Sequence, residues 1–266
     1  MSAIKYLVDT AGSNHAVLLH DYHDRAVFTV RPLLASGAPA QQYNIEIIEV
    51  GETVKAREAK PEILPCFCPQ RHINHDGSFC LYWAEVEAHT IDTPDAASEW
   101  WGKLLMFLLR QKAAAATRFW PGAADERAHG PEAARFQVIA ETKASHLGMS
   151  FAKAFRERRF STISKNVGGQ HRVRLLFDGR RLLSVSKDRT RVMTLRQRCK
   201  CDEGRKSGLP IAGCDEHDRT LAEIAIALDG WRVSEKDYFD SFKGLPFECC
   251  GTMDNCPLAD LLNAAA

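Results

Sequence analysis

The pattern of hydrophobic and polar positions is strand-like over two short stretches near the start of the chain. Residues 26–32 are rich in β-branched and aromatic side chains, and residues 41–50 alternate apolar with polar side chains. A period of two is typical of a strand with one buried face. The stretch between them is rich in Ser, Gly, Ala and Pro, which favours a loop. We predict two strands and a third extended segment that runs into the proline-rich residues 61–69.

Helical periodicity follows these strands. Thr93 is a good N-cap residue, and Pro94 is suited to the first position of a helix. Downstream, apolar residues recur at the i, i+3, i+4, i+7 spacing of one buried helix face: Trp101, Leu104, Leu105 and Leu108. We predict a helix here and a second one that begins at Pro131 and ends by Gly148.

A hairpin pattern opens the second half of the chain. Between residues 172 and 186, two apolar-rich runs flank Asp178 and Gly179. Both central residues of a tight hairpin turn adopt positive φ, and Asp-Gly is a preferred pair at such positions. The pattern therefore predicts a β-hairpin, and residues 191–197 are predicted as a third strand.

Helical spacing returns after this hairpin. Residues 221–228 show the spacing of an amphipathic helix, and residues 234–237 resemble the start of another. The expected fold is α+β: an antiparallel sheet packed with helices, followed by a smaller Cys-rich α+β domain. We place the boundary near residues 148–166, which gives domains of residues 1–150 and 151–266.

The composition is that of a folded protein. The chain has 266 residues, of which 45% are hydrophobic and 26% charged. Its longest fully apolar run, residues 104–109, is too short to span a bilayer, and the first residues lack the layout of a signal peptide. We expect a cytoplasmic protein with no membrane partner.

Charge is distributed unevenly along the chain. Residues 153–200 contain 15 Lys or Arg and three acidic residues, a net charge of +12, whereas the whole chain carries +1. A basic block attracts acidic surfaces of protein or nucleic acid. The same residues show strand-like alternation, so a solvated strand face explains the block equally well. Of the two kinds of partner we favour protein over nucleic acid.

The nine cysteines are divided between two regions. Three lie between Cys66 and Cys80, and six between Cys199 and Cys256. In a reducing compartment, clustered cysteines more often bind metal or perform chemistry than form disulfides. The two groups therefore indicate two sites.

The first group supports two kinds of chemistry. Cys66, Cys68, His72, His75 and Cys80 have a spacing that would suit zinc. Alternatively, Cys80 is a nucleophile beside a histidine, because a thiolate is strongly nucleophilic and its thioesters stay reactive toward amines. Spacing alone favours metal binding slightly over a nucleophilic role for Cys80.

A sequence resemblance reverses that ranking. Residues 76–81, Asp-Gly-Ser-Phe-Cys-Leu, resemble the active-site segment Asn-Gly-Ser-Ile-Cys-Leu of ubiquitin-conjugating enzymes. In that family a His-Pro-Asn tripeptide precedes the segment; its position falls here on residues 70–72, so that His72 replaces the asparagine. The resemblance covers about the first 150 residues. The members that the chain resembles are divergent bacterial proteins. The resemblance implies genes for an activating enzyme, a ubiquitin-like protein and a deubiquitinase-like metalloprotease beside this one, and a role in antiphage defence.

The resemblance implies a catalytic role for two residues. Cys80 would accept a ubiquitin-like protein from an activating enzyme as a thioester and pass it to an amine on a target protein. His72 would support the oxyanion of that transfer or act as a base. Candidates for an acid that positions the amine are Asp92, Asp125 and Glu126.

The second cysteine group indicates one structural zinc ion. Zinc takes four ligands, and the candidates are Cys199, Cys201, Cys214, His217, Cys249, Cys250 and Cys256. Two other functions stay open. One is an inactive or zinc-dependent adaptor that binds a ubiquitin-like protein or an acidic partner. The other is a cysteine hydrolase, for which the chain offers no Gly-rich oxyanion motif.

Overall fold

The computed structural model describes residues 2–82, 87, 90–122, 127–188, 190–214, 216–247, 249–254 and 256–259. Contacts within the chain define two compact units. The first combines Met1–Pro121 with Phe242–Ala266, and the second is Gly122–Ser241.

The first unit is a four-stranded antiparallel meander with two helices. The strands lie in the order β1-β2-β3-β4. The elements are α1 (Ala3–Thr10), β1 (Ala16–Asp21), β2 (Arg25–Val30), β3 (Tyr43–Val50), β4 (Thr53–Glu58) and α2 (Pro94–Thr117). Strands β2 and β3 confirm the two strands predicted from alternation. The predicted third extended segment is strand β4, which ends before the proline-rich stretch.

Helix α2 confirms the longest helix prediction. The Thr93 hydroxyl caps its start by accepting a hydrogen bond from the Ala96 backbone N–H at 3.1 Å. Trp101, Leu104 and Leu108 are completely buried in the core of this unit. The Trp101 indole N–H donates to the Leu7 carbonyl at 3.2 Å, which fixes α1 on α2. Helix α1 and strand β1 were not predicted from the sequence.

The second unit is a separate α+β body. Its strands form an antiparallel sheet in the order β5-β6-β7-β8. The elements are α3 (Pro131–Ser145), α4 (Met149–Arg156), β5 (Phe160–Val167), β6 (Gln170–Phe177), β7 (Arg180–Ser186), β8 (Arg191–Val192), α5 (Asp202–Ser207) and α6 (His217–Asp240). Asp178 and Gly179 have φ values of 50° and 73°, which confirms the predicted hairpin turn. The α+β fold class is confirmed in both units.

Helix α6 corrects one prediction. Residues 234–237 do not start a new helix, because α6 runs unbroken for 24 residues. Trp231 and Phe239, eight residues apart, are both buried and continue one helix face across the predicted break. The helix continues through Gly230. A β-carbon at this position would approach the Phe136 ring of α3 to 2.8 Å. The glycine thus permits close packing of α3 on α6.

Helix α3 belongs to the second unit. The predicted first domain, residues 1–150, includes this helix; in the structure its residues Ala133, Ala140 and Ala144 share one buried core with Leu221 and Ala225 of α6. Small side chains on α3 allow this close approach. Among the described helices, none is long and apolar enough to cross a membrane.

Candidate functional site

Cys80 lies at the end of a loop anchored to strand β4. A 3-10 turn, Pro69–Arg71, is closed by hydrogen bonds between the backbones of Cys68 and Ile73 at 3.0 and 3.1 Å. The loop then returns, and the Phe79 N–H donates to the Ala56 carbonyl of β4 at 2.8 Å. The Cys80 N–H donates to the His72 carbonyl, also at 2.8 Å. The two residues singled out by the sequence are therefore joined through their backbones.

The Asp-Gly-Ser part of the motif forms the tight turn before the cysteine. Asp76 Oδ1 accepts hydrogen bonds from the backbone N–H of Ser78 at 3.0 Å and from its hydroxyl at 2.5 Å. Partial burial acts to raise the pKa of Asp76, but the hydrogen bonds from Ser78 and Lys55 lower it to about 2. Gly77 has a φ of 76°, which favours glycine. The turn is thus held by the Asp76 carboxylate.

The Cys80 thiol is half-buried. Its Sγ lies 3.9 Å from the Tyr82 carbonyl oxygen. The preceding Phe79 is buried and stacks on Phe107 of α2 at a centroid distance of 4.7 Å. Packing of Phe79 fixes the backbone, while the Cys80 side chain keeps access to solvent.

His72 occupies a position that few residues tolerate. Its φ is 55°, in the left-handed region, where Asn, Asp and His are several-fold enriched among non-glycine residues. Asparagine, which the family resemblance would place at this position, tolerates the same backbone conformation. The imidazole is buried, and its ring centroid lies 4.8 Å from that of Trp120. Trp120 therefore helps to set the orientation of His72.

Arg71 anchors the same loop to helix α2. It is buried, and its guanidinium donates to the side-chain and backbone oxygens of Gln111 at 2.7 and 3.2 Å. In return, the Gln111 amide donates to the Arg71 carbonyl at 2.5 Å. Burial lowers the pKa of Arg71. The pairing of Arg71 with Gln111 was not predicted from the sequence, because an arginine in a polar loop resembles a solvent-exposed residue.

Of the three acids considered for positioning an amine, Asp92 is exposed. Asp125 and Glu126 lie outside the described residues. A role for any of these acids in positioning an amine stays a prediction.

Four of the seven predicted metal ligands come together in the second unit. One ligand atom from each of Cys199, Cys201, Cys214 and His217 lies within 4.8 Å of all the others. The Sγ atoms of Cys201 and Cys214 are 3.4 Å apart, and His217 Nδ1 is 3.2 Å from Cys214 Sγ and 3.6 Å from Cys199 Sγ. All three cysteines are buried. This Cys3His cluster can bind a metal ion.

The backbone around this cluster is built to hold sulfur. Cys201 caps the start of α5, and its Sγ accepts a hydrogen bond from the Gly204 N–H at 3.0 Å. Burial first, and then the neighbouring thiols of Cys201 and Cys199, raise the pKa of Cys214 to about 12. A bound cation would offset that effect, because it stabilises the thiolates.

Gly204→Ala is expected to destabilise this cluster. An added β-carbon would lie 2.7 Å from the Cys199 β-carbon and 3.0 Å from Cys201 Sγ. Overpacking of this kind costs about 1–3 kcal/mol, so thermal unfolding should begin at a lower temperature. Gly213→Ala is the matched control, because its β-carbon would meet Pro210 at an ordinary 3.7 Å. Equal melting temperatures for the two variants would contradict the tight packing.

The other three predicted ligands do not join this cluster. Cys249, Cys250 and Cys256 belong to the C-terminal segment of the first unit. Cys250 Sγ lies 2.9 Å from the Sγ of Cys68, a member of the first cysteine group. The hydrogen bond between these two thiols lowers the pKa of Cys250.

Comparison with protein-family models also divides the chain into two parts, although the second match includes residues 242–258, which belong to the first unit of the structure. Residues 15–122 match the model described as "Prokaryotic E2 domain", where E2 denotes the ubiquitin-conjugating class. Residues 128–258 match the model described as "Cysteine-rich domain, C-terminal to E2 domain". No curated protein and no solved structure matches the chain. The two matches follow one another along the chain in the order that their descriptions give. The chain therefore belongs to a divergent bacterial E2-like family, with an E2 domain followed by its Cys-rich C-terminal domain.

Proposed function

We propose that this protein is a conjugating transferase that accepts a ubiquitin-like protein as a thioester on Cys80 and transfers it to an amine on a target protein. A ubiquitin-conjugating-like role follows from the E2 domain itself. One observation carries the assignment of Cys80. Its half-buried thiol ends a loop pinned to β4, and its N–H is bonded to His72 at the place of the family tripeptide.

The reaction consists of two acyl transfers. In the first, the Cys80 thiolate attacks the thioester of the activating enzyme, and the enzyme's own cysteine leaves as a thiolate. In the second, a neutral amine attacks the Cys80 thioester, forms an amide bond, loses a proton and releases the Cys80 thiolate. Both steps pass through a tetrahedral intermediate that bears an oxyanion.

His72 supports the second transfer in this proposal. Its carbonyl is occupied by the Cys80 N–H, and its imidazole is held against Trp120. A fixed imidazole N–H can stabilise the oxyanion directly, or it can fix the loop around that oxyanion. Either role is one of stabilisation, and both fit a buried ring better than free proton exchange with solvent does.

The second unit holds a structural zinc ion in this proposal, through Cys199, Cys201, Cys214 and His217. The donor set consists of three thiolates and one imidazole, which suits zinc. Zn–S bonds of about 2.3 Å imply a tetrahedron with sulfur–sulfur edges of about 3.8 Å, close to the 3.4 Å between Cys201 and Cys214. Such an ion would tie the segment before α5 to the first turn of α6.

The partners follow from the chemistry. The thioester requires an activating enzyme and a ubiquitin-like protein, and the product requires an amine on a target protein. A role in bacterial antiviral defence rests on the family resemblance alone. Genes for an activating enzyme and a ubiquitin-like protein beside this one would support it.

One incubation distinguishes the proposal from the alternatives. The chain is mixed with the matching activating enzyme, its ubiquitin-like protein and ATP, and the products are separated without reductant. We expect an adduct that disappears on addition of thiol and is absent in Cys80→Ala. Cys66→Ser, which changes an exposed cysteine on the same loop, is the control and should retain the adduct. Binding without an adduct would favour the adaptor, and cleavage of amides or esters without an activating enzyme would favour the hydrolase.

A further inference from the structure

We propose that Cys68, Cys249, Cys250 and Cys256 form a second metal site, one that attaches the C-terminal segment, residues 242–259, to the loop that carries Cys80. The ion would be a thiophilic divalent cation, for which zinc is the probe. The inference does not depend on thioester chemistry at Cys80. All four cysteines belong to the first unit.

The four thiols form two close pairs. Cys68 Sγ and Cys250 Sγ are 2.9 Å apart, and Cys249 lies within hydrogen-bonding reach of Cys256. Cys256 is also near enough to Cys68 to act on it electrostatically. Cys68 and Cys256 are 1% and 2% exposed, so one sulfur of each pair is buried in the protein. Binding of a cation would draw the two pairs together.

The distance between Cys68 and Cys250 is too short for two thiols that only pack against each other. It lies between the disulfide bond length of about 2.05 Å and the edge of about 3.8 Å in a zinc–thiolate tetrahedron. A disulfide would use two of these cysteines and leave the Cys249–Cys256 pair without a role. A metal ion uses all four, which is the ligand number of structural zinc sites.

A buried positive charge lies beside two of the four thiols. The Arg71 guanidinium interacts electrostatically with Cys68 and Cys250. Its Nη1 also donates to Thr252 Oγ1 at 3.2 Å, and that hydroxyl lies 3.0 Å from Cys250 Sγ. Metal ligands must be deprotonated, and the guanidinium places a positive charge beside two of the sulfurs that would then be negative.

The C-terminal segment is held on the first unit at points around the four cysteines. Phe242 and Phe247 each pack on Phe67 with centroids 5.1 Å apart. Arg118 pairs with Asp254 at 2.6 Å, and the Asp254 N–H donates to the Arg118 carbonyl at 3.0 Å. These contacts hold the segment beside Cys68, and its described residues form little regular secondary structure. A metal ion supplies the cross-link that such a segment lacks.

The site also completes the assignment of the cysteines. Three of the nine belong to the Cys3His cluster, four to the site proposed here, and Cys80 is the proposed acyl carrier. The remaining one, Cys66, is exposed. Because Cys68 begins the turn that leads to His72, an ion bound here would hold the conformation of the loop before Cys80.

The test is a count of zinc per chain on protein purified without chelator. We expect two equivalents for the wild-type chain and one for Cys68→Ser and for Cys256→Ser. Cys66→Ser is the matched control and should keep two. Cys201→Ser should lose the other equivalent, so that the Cys68→Ser/Cys201→Ser double variant retains none.

The wild-type count also tests the inference without relying on any variant to fold. A single equivalent in the wild-type chain would overturn the second site. So would a Cys68–Cys250 disulfide as the main form in peptide maps of freshly purified, unreduced protein. Neither result would bear on the thiol-sensitive adduct at Cys80, so failure of this site and failure of the proposed function are distinguishable.

Discussion

His72→Ala is expected to slow discharge of the ubiquitin-like protein from Cys80 by about 10²–10³-fold, the usual effect of removing one oxyanion donor. Loading of Cys80 should change far less. Loading exchanges one thiolate for another on the acyl group, whereas in discharge a neutral amine, a weaker nucleophile than a thiolate, must add to the Cys80 thioester and lose its proton, so this step depends more on stabilisation of the oxyanion. The imidazole held against Trp120 would be lost, and alanine would also occupy a left-handed φ of 55° at a steric cost.

Single-turnover assays separate these two steps. Loading is followed with the activating enzyme and ATP, and discharge is followed after ATP is removed and a free amine is added. His72→Asn is the matched variant, because asparagine tolerates the same backbone conformation and carries an N–H donor. It should recover most of the discharge rate. Equal losses in loading and discharge for His72→Ala would rule out the oxyanion role.

Cys201→Ser is expected to remove zinc from the Cys3His cluster and to unfold much of the second unit. Zinc binding to small structural sites is worth about 10–16 kcal/mol in apparent free energy, more than the whole stability of many domains. Cys199, Cys201 and Cys214 belong to the buried core of that unit, together with Ile211 and Leu221. Without an ion, three buried thiols would face one another at short range.

Thermal unfolding with and without chelator measures this effect. The wild-type chain should melt at a markedly lower temperature after chelation, and Cys201→Ser should melt low in both conditions. Cys66→Ser should behave as the wild type does. A wild-type melting temperature that chelator does not change would contradict a structural role for the ion.

The parts of the fold that depend on local sequence could be predicted. Helix α2 carries its own N-cap and an apolar face with helical spacing, and the Asp178–Gly179 turn needs only two adjacent residues. The motif around Cys80 is equally local, since Asp76 and Ser78 form their turn within three residues. Interactions between residues close in sequence are sufficient to determine such features.

The parts that depend on distant contacts could not be predicted. Helix α1 has only eight residues, and its stability comes from the packing of Ile4 and Leu7 in the core, which no local pattern reveals. Cys68 and Cys250 are 182 positions apart in sequence, so spacing grouped Cys250 with the ligands of the second unit instead. Arg71 and Gln111 escape sequence reasoning for the same reason.

The most direct test of the central claim replaces the attacking sulfur of Cys80 with oxygen. The wild-type chain, Cys80→Ser and Cys80→Ala are each incubated with the activating enzyme, the ubiquitin-like protein and ATP, and intact masses are recorded before and after thiol treatment. We expect a wild-type adduct that thiol removes, a slower Cys80→Ser adduct that resists thiol because it is an ester, and none for Cys80→Ala. A wild-type adduct that resists thiol, or one that persists in Cys80→Ala, would contradict the assignment of Cys80 as the acyl carrier.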